Sequence, residues 1–325
     1  MSKLPSSTIP TICTYRRGHG GEGERLFINE FLLPTLAEVT TAPVTVDGYG
    51  NILVDAGRAD VLFVAHVDTV HLPEEPPKQV VELNDYTLSL VSKNATCLGA
   101  DDGAGIAVLL YLLSRGVEGQ YLFTRCEERG GIGASYFYDN SKAVLNAAKI
   151  AIEIDRRGYT DVIYSQGVGD CASLEFATSL ADRLGQKMKP SDLGSFTDIA
   201  TFADIIPECV NLSAGYFNEH TPKETVNLEY VDLLARALEL VVWETLPITR
   251  EAGDFGNYGQ YDYYNINRQF SDGDTLTYRQ VEDLVKTDPQ LVVDILIQLG
   301  VTAHDVNTVS EDLYGVSYDD LYNYY

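Results

Sequence analysis

The chain has 325 residues, with 23 Lys and Arg against 48 Asp and Glu, which gives a net charge of −25. A charge of this sign argues against nucleic acid and anionic membranes as partners, because both bind proteins through negatively charged phosphates. Its five cysteines include no Cys-x-x-Cys pair, which argues against a zinc finger, a disulfide scaffold and a thioredoxin-type redox site. We expect these cysteines to be reduced. No apolar run approaches the ~20 residues of a membrane span, and residues 1–10 do not resemble a signal peptide, so we expect a soluble cytoplasmic protein.

Short apolar runs alternate with helix-like stretches between residues 22 and 248, which predicts a mostly parallel sheet covered by helices on both faces. The predicted strands are almost continuously apolar, as doubly covered strands are, and comprise residues 51–54, 61–65, 121–124 and 150–154. The spacing of apolar residues predicts helices over 103–114, 173–184 and 231–246, and a weaker one over 22–36 that Pro34 interrupts. We therefore expect an α/β domain over residues 1–248.

The composition changes after residue 248. Residues 251–325 carry 14 acidic and 3 basic side chains, together with 10 of the 21 tyrosines. A capping box at Thr277 and Gln280, and Pro289 ahead of Gly300, predict two short helices there. We expect residues 249–325 to form a small acidic, Tyr-rich helical appendage or tail, and this tail is the candidate surface for an unidentified protein partner.

The first chemical signal follows the predicted strand 61–65. His66 lies just past the carboxyl end of that strand, where ligands bind in open α/β sheets, and Asp68 lies two residues further on. That spacing suits a carboxylate that accepts the second ring N–H of a metal-bound imidazole. A histidine that is only hydrogen-bonded by a neighbouring carboxylate would give the same pattern.

Two pairs of carboxylates come next. Asp101 and Asp102 lie between glycines at the start of a predicted helix, where an Asp is also expected as a simple N-cap. Glu127 and Glu128 follow the strand 121–124, and adjacent glutamates at a strand end can divide metal binding and proton transfer between them. A solvated pair beside two arginines is the alternative. Cys126 is a poor candidate nucleophile, because two carboxylates follow it.

The last two signals are Asp155, at the end of the strand 150–154, and His220, in an irregular loop. We interpret the other histidines, at positions 19, 71 and 304, as structural. Taken together, two imidazoles and three carboxylates are what a pair of divalent ions needs, with one carboxylate shared between the ions.

The order and local context of these residues resemble the co-catalytic di-zinc exopeptidase clan, which includes aminopeptidases, tripeptidases, glutamate carboxypeptidases and deacylases. The resemblance covers residues 15–246 and depends on the motifs AHVDTV, GADDGAG, CEERGG, EIDRRG and YFNEHTPKE. It implies a three-layer α/β/α zinc-peptidase-like core with a mostly parallel mixed sheet. It also implies two divalent metal ions as cofactors. Zn²⁺ is the expected metal, and Mn²⁺ and Co²⁺ are the alternatives.

The resemblance further implies how the metal ligands are shared. Asp101 would bridge the two ions. His66 and Asp155 would complete one site, and Glu128 and His220 would complete the other.

Two catalytic roles are implied in the same way. Glu127 would be the general base, and Asp68 would orient His66. The peptide bond between Asp101 and Asp102 would be cis, as is characteristic of that clan.

Two departures from the clan's pattern bear on the architecture. Only 220 − 155 = 65 positions separate Asp155 from His220, where many relatives insert a lid or dimerisation domain, so a lidless single-domain core is implied. Gly103 stands where several relatives have Lys. The Asp at position 155 accompanies aminopeptidase-like members more often than carboxypeptidases or deacylases.

These observations favour a di-zinc metallohydrolase that cleaves an amide bond, specifically an aminopeptidase on short peptides, through a metal-bridging hydroxide with Glu127 as general base. The first alternative keeps the two metals and acts as a deacylase or amidohydrolase on a small amide. A metal-dependent phosphodiesterase and a non-catalytic binding protein are further alternatives, although the charge of −25 disfavours polymeric nucleic acid as a substrate. Homo-oligomerisation is left open by the sequence.

Overall fold

The computed structural model describes residues 4–90 and 96–256, together with the single positions Val292 and Leu296. Of the expected appendage, only residues 249–256 and those two positions are described, so His304 and almost all of the two predicted helices lie outside the described residues. The domain boundary at 248 stays a prediction. Residues 249–256 are described, and they contact the core: the main-chain N–H groups of Thr249 and Arg250 donate to Glu208 Oε1 at 2.8 and 3.0 Å. No helix in the described ranges has the length and apolar character needed to cross a membrane.

Helices make up much of the described chain. The α-helices are α1 Pro5–Ile12, α2 Glu22–Leu26, α3 Leu33–Val39, α4 Ala100–Ser114, α5 Ile132–Asn140, α6 Lys142–Ala147, α7 Leu174–Leu184 and α8 Leu228–Glu239. A π-helical segment, Phe27–Leu32, joins α2 to α3. Short 3₁₀ turns occur at Glu127–Arg129, Asp198–Phe202 and Trp243–Thr245.

Three β-sheets are present in the described residues. The strands are β1 Val44–Val46, β2 Ile52–Asp55, β3 Val61–His66, β4 Val81–Asn84, β5 Thr87–Leu90, β6 Gln120–Thr124, β7 Ile150–Arg156, β8 Asp161–Ile163, β9 Ser165–Gln166, β10 Gly169–Asp170, β11 Lys189–Ser191, β12 Glu208–Ser213, β13 Tyr216–Phe217 and β14 Thr225–Asn227. The main sheet has eight strands in the order β1-β2-β6-β3-β7-β12-β8-β11. A four-stranded sheet, β13-β14-β5-β4, and the hairpin β9-β10 are separate from it.

The main sheet is mixed, with a parallel centre. Strands β6, β3, β7 and β12 run parallel to one another, while β2 and β8 are antiparallel to their central neighbours. The four strands predicted from apolar runs are β2, β3, β6 and β7, and these predictions are confirmed. Parallel strands carry their carboxyl ends to one edge of the sheet, so the residues after β3, β6 and β7 share that edge.

The helix predictions are confirmed for α4 and α7 and need correction at two places. Helix α8 ends at Glu239, and residues 240–246 continue as an irregular segment with a 3₁₀ turn rather than as helix. Pro34 does not interrupt the helical conformation of the segment 22–36, because α2, the π-helical segment and α3 follow one another directly. The main-chain N–H of Leu33 donates to the oxygen of Ile28, five residues back, so a widened turn comes directly before the proline.

The sheet is buried on both faces, which the side chains of β3 make clear. Val61, Phe63 and Ala65 belong to the larger apolar core, formed with α1, α4, α7 and α8. Leu62 and Val64 point the other way, into a second core formed with α5 and α6. This alternation is what a central strand of a three-layer α/β/α fold requires.

Phe63 provides a test of the larger core. Its ring is fully buried, stacks on Tyr121 with centroids 4.8 Å apart and meets the edge of Trp243 at 5.3 Å. We expect Phe63→Ala to lower the free energy of unfolding by about 3–5 kcal/mol, because it leaves a cavity at this contact. Urea denaturation measures the change. Leu240→Ala is the control, since Leu240 is 78% exposed and its truncation should change stability by less than about 0.5 kcal/mol.

Candidate metal centre

The predicted site residues converge on the edge of the sheet where the parallel strands end. His66 is the last residue of β3, and Asp155 is the last but one of β7. The 3₁₀ turn that begins with Glu127 follows β6 by two residues. Asp101 lies at the start of α4, and His220 lies between β13 and β14.

The carboxylate of Asp101 lies between two imidazoles. His66 Nε2 is 3.0 Å from Asp101 Oδ1, and His220 Nε2 is 3.1 Å from Asp101 Oδ2. The His66 side chain is 1% exposed, whereas that of His220 is 49% exposed. One side of the carboxylate therefore faces the interior of the fold and the other faces the opening of the site. The peptide bond from Asp101 to Asp102 is cis, as predicted.

Asp155 is held by three polar side chains. Its Oδ1 accepts a hydrogen bond from Tyr216 Oη at 2.8 Å. Its Oδ2 lies 3.1 Å from Thr197 Oγ1, a hydroxyl that is closer to Glu153 Oε2, at 2.5 Å. Its main chain exchanges two hydrogen bonds with the side-chain amide of Asn211, at 2.8 and 3.1 Å. Asp155 Oδ1 also lies 3.5 Å from His66 Nε2, so this carboxylate adjoins the imidazole on the buried side of Asp101.

Asp68 contacts both His66 and the turn that carries Glu127. His66 Nδ1 lies 3.1 Å from the main-chain oxygen of Asp68 and 3.8 Å from its Oδ1, so the shorter contact is to the main chain rather than to the carboxylate. The carboxylate of Asp68 accepts a hydrogen bond from the main-chain N–H of Glu127 at 3.1 Å. Asp68 is fully buried, and it links β3 to the turn after β6.

Two groups of side chains have the spacing needed to hold a cation. His66, Asp101 and Glu128 each offer a ligand atom within 4.8 Å of the others, and so do His66, Asp102 and Asp155. In the second group, Asp102 already accepts two main-chain N–H groups, from His66 at 3.2 Å and from Gly105 at 2.8 Å. Asp101 is therefore the better ligand of the two adjacent aspartates.

The electrostatics of this edge favour a bound cation. Burial, together with the charge of Asp101, raises the pKa of Asp155 to about 6. Burial also raises the pKa of Asp198 to about 7 and raises the pKa of Glu153 well above its ordinary value. Burial alone would lower the pKa of His66, but the neighbouring carboxylates raise it well above its ordinary value. Several buried carboxylates thus compete for very few positive groups, and a divalent cation would supply the missing charge.

Several residues that support the site were not identified from the sequence. Glu224 is 1% exposed and accepts hydrogen bonds from the main chain of the turn that leads to Asp101. Arg17 is fully buried, and its guanidinium donates to the main-chain oxygens of Val67 at 2.7 Å and Gly99 at 2.9 Å. Glu224 is the last residue of the motif YFNEHTPKE, but the motif does not show what it contacts. Both residues lie far in sequence from the groups that they hold, so no local pattern could have identified their roles.

The other described histidines have polar partners. His71 is buried, with Nδ1 2.7 Å from Thr69 Oγ1 and Nε2 3.2 Å from Gln79 Oε1. The ring of His19 stacks on Tyr49, and its Nδ1 lies 3.4 Å from Glu24 Oε1. These contacts agree with a structural interpretation of both residues.

A comparison with protein families gives one match. The model of peptidase family M28 matches residues 51–242, which is more than half of the chain and includes every predicted metal ligand. A search of curated proteins gives no match.

Solved structures share the fold at low sequence identity. The aminopeptidase PepT from Bacillus cereus is 14% identical, with a TM-score of 0.61 over 74% of this chain and 97% of that one. A tripeptidase from Staphylococcus aureus is 14% identical, with a TM-score of 0.58 over 74% and 97% of the two chains. The TET1 peptidase from Pyrococcus horikoshii is 18% identical, with a TM-score of 0.56 over 72% and 98%. The likeness confirms the α/β fold with its mostly parallel mixed sheet.

An ion pair between a buried carboxylate and a partly buried guanidinium supports the turn that carries Glu127. Glu24, on α2, is 1% exposed and accepts two hydrogen bonds from Arg125, at 2.8 Å from Nε and 2.7 Å from Nη2. Burial opposes ionisation of this carboxyl, but its hydrogen bonds with His19 and Arg125 lower the pKa of Glu24 from 4.5 to about 2. The pair fixes the residue that follows β6, two positions before Glu127.

We expect Glu24→Gln to destabilise the protein by about 2 kcal/mol at pH 7, because it leaves the partly buried guanidinium of Arg125 without the carboxylate that it contacts. The folded pKa lies below the unfolded one, so the contribution is complete above about pH 4.5 and is lost as the pH falls towards 2. Urea denaturation of both proteins at pH 7 and pH 3 should therefore give a smaller difference at pH 3. An equal difference at both pH values would contradict this assignment.

The control is Glu22→Gln. Glu22 forms an ion pair with Arg25 in which both side chains are 61% exposed. Surface pairs of this kind contribute less than about 1 kcal/mol, so the control should leave stability almost unchanged.

Proposed function

The chain belongs to peptidase family M28 and is a metallopeptidase. On this basis we propose that it is an aminopeptidase that acts on short peptides and uses two divalent metal ions, with Zn²⁺ as the expected metal. The observation that carries the proposal is the position of Asp101 between the Nε2 atoms of His66 and His220, 3.0 and 3.1 Å from its two oxygens. A carboxylate with an imidazole on each oxygen is the arrangement that a bridging ligand needs.

The donor set fits zinc. Imidazole nitrogen and carboxylate oxygen are ordinary zinc ligands, and sites for two metals bring such donors together around a shared group. Asp101 would be shared, His66 and Asp155 would hold one ion, and Glu128 and His220 would hold the other. The buried carboxylates, whose pKa values rise without a cation, support the same assignment.

When bound, the two ions would supply Lewis-acid chemistry: polarisation of the scissile carbonyl and activation of water at neutral pH. Glu127 would accept the proton of the attacking water at its carboxylate and deliver it to the leaving amine. Its main chain is held by Asp68 at 3.1 Å, which keeps this base at a fixed place beside His66. Asp68 would therefore position Glu127 and, through its main-chain oxygen, orient His66.

Tyr216 has a supporting role in this proposal. Its hydroxyl is buried and donates to Asp155 Oδ1 at 2.8 Å. The hydrogen bond would orient the metal-binding carboxylate, since the outer partners of ligands fix the ligands' geometry.

Two observations support an aminopeptidase over a deacylase. An Asp at position 155 accompanies aminopeptidase-like members of the clan more often than deacylases. The structures that share the fold are named as an aminopeptidase, a tripeptidase and the TET1 peptidase. The TET1 peptidase is described as assembling into a tetrahedron or an octahedral shell, so homo-oligomerisation is part of the proposal. Cytoplasmic location stays a prediction from the sequence.

The general base can be tested by Glu127→Gln. We expect kcat to fall by about 10²–10⁴-fold, because the amide cannot accept the proton, while elemental analysis still finds two metal ions per chain. Glu118→Gln is the matched control, since Glu118 is exposed and lies at the other end of β6. A fully active Glu127→Gln would refute the assigned mechanism.

The substrate class can be tested with aminoacyl-nitroanilides and N-acyl amino acids. We expect turnover of the free-amino substrates, loss of activity after chelation by EDTA and recovery after addition of Zn²⁺. Turnover of only the N-acyl substrates would replace the aminopeptidase with a deacylase. Activity that survives complete metal removal would refute the metal-dependent function.

A further inference from the structure

Glu224 receives four consecutive main-chain N–H groups. Leu98 and Gly99 donate to its Oε2 at 2.7 and 2.9 Å, and Ala100 and Asp101 donate to its Oε1 at 2.7 and 3.0 Å. The side chain is 1% exposed. A carboxylate has room for two donors on each oxygen, so all of its acceptor capacity is directed at this one turn.

The turn has a conformation that exposes its N–H groups to a single anion. Gly99 has φ of 76°, a left-handed conformation that favours glycine. Successive N–H groups around such a residue form a concave anion-binding nest. Here the anion is a side chain of the protein itself.

The opposite side of the same turn is fixed through its carbonyl groups. Arg17 Nη2 donates to the main-chain oxygen of Gly99 at 2.9 Å, and Gln79 Nε2 donates to that of Leu98 at 2.9 Å. The residues that lead to Asp101 are thus held by buried side chains from three distant parts of the chain. A turn held in this way leaves Asp101 little freedom of position.

Glu224 and His220 lie on the same loop, four residues apart. The loop therefore contributes a predicted metal ligand and also the carboxylate that fixes the main chain of Asp101. Asp101 in turn lies between His66 and His220. A displacement of Glu224 would move the shared carboxylate relative to both imidazoles at once.

We propose that Glu224 is a positioning residue that holds the turn Leu98–Asp101, so that Asp101 reaches both metal positions and the two are filled together. This inference extends the proposed two-metal site. It assigns Glu224 no contact with metal or substrate. Its expected signature is a loss of affinity for both ions, because the shared ligand is displaced from both.

Glu208 provides a matched control. It is fully buried, and it also accepts several main-chain N–H groups, from Ser173 at 2.6 Å, Thr249 at 2.8 Å and Arg250 at 3.0 Å. It is the first residue of β12, at the opposite end of the parallel strands from the metal ligands. Glu208→Gln therefore removes a similar set of hydrogen bonds without touching the site.

The experiment titrates the metal-free full-length wild type, Glu224→Gln and Glu208→Gln with Zn²⁺ against a chelator of known affinity. The midpoint of thermal unfolding of each apo protein is measured in parallel. We expect two ions per chain in the wild type. For Glu224→Gln we expect about 10–100-fold weaker binding of both ions, since the amide offers one acceptor oxygen to four N–H groups. For Glu208→Gln we expect a lower unfolding temperature with wild-type affinity for Zn²⁺.

A second variant and a spectroscopic readout keep the test decisive. Glu224→Asp retains the charge but is one methylene shorter, so it should still fold and should also bind Zn²⁺ more weakly than the wild type. With Co²⁺ as the probe, the visible absorption spectrum of both Glu224 variants should differ from that of the wild type and of Glu208→Gln, because the geometry around the metal changes.

The outcomes separate the two proposals. Wild-type affinity for both ions in the Glu224 variants would overturn the positioning role alone. So would a loss of affinity in Glu208→Gln that equals the loss in Glu224→Gln at equal destabilisation. A wild-type protein that binds no Zn²⁺ would overturn the proposed function, and the inference with it.

Discussion

The burial of carboxylates at the carboxyl edge of the parallel strands is the constraint on which the rest of the structure depends. Asp68, Glu153 and Asp198 are fully buried, and Asp101 is 7% exposed. A buried charge is costly unless hydrogen bonds or opposite charges compensate it, and within the described part of the chain two imidazoles adjoin Asp101. The protein meets this constraint by directing hydrogen-bond donors at the carboxylates and by gathering them where divalent cations can bind.

The ligand-bearing segments are fixed one by one through their main chains. Asn211 exchanges two hydrogen bonds with the main chain of Asp155, and Glu224 holds the turn before Asp101. After β6, Asn51 Oδ1 accepts the main-chain N–H of Arg125 at 3.0 Å. In each case a side chain from another element supports the backbone rather than the reactive group. Such an arrangement positions the ligands before any ion binds and lowers the cost of ordering them.

Much of this site could be predicted from the sequence, because its reactive groups follow apolar strands. His66 and Asp155 end buried runs, and the ends of parallel strands meet at one edge. The supporting groups could not be predicted in this way. Glu224 acts on residues more than 120 positions away, and Arg17 on residues 50 and 82 positions away. A periodic pattern reports only local conformation, so partners of this kind become visible only in the folded chain.

The fold itself was predictable to a similar depth. Continuous apolar runs identified the four strands β2, β3, β6 and β7, whereas α5 and α6 were not among the predicted helices. The π-helical segment Phe27–Leu32 has a further consequence. A π turn accommodates one more residue than an α turn, and each residue of an α-helix turns the chain by about 100°. The wider turn absorbs this extra residue, so the face of α3 that carries the buried Leu36 keeps its orientation. A deletion in this segment can therefore be compensated by a change from π to α turns, whereas a deletion in the first turn of α3 would rotate Leu36 by about 100° away from the core.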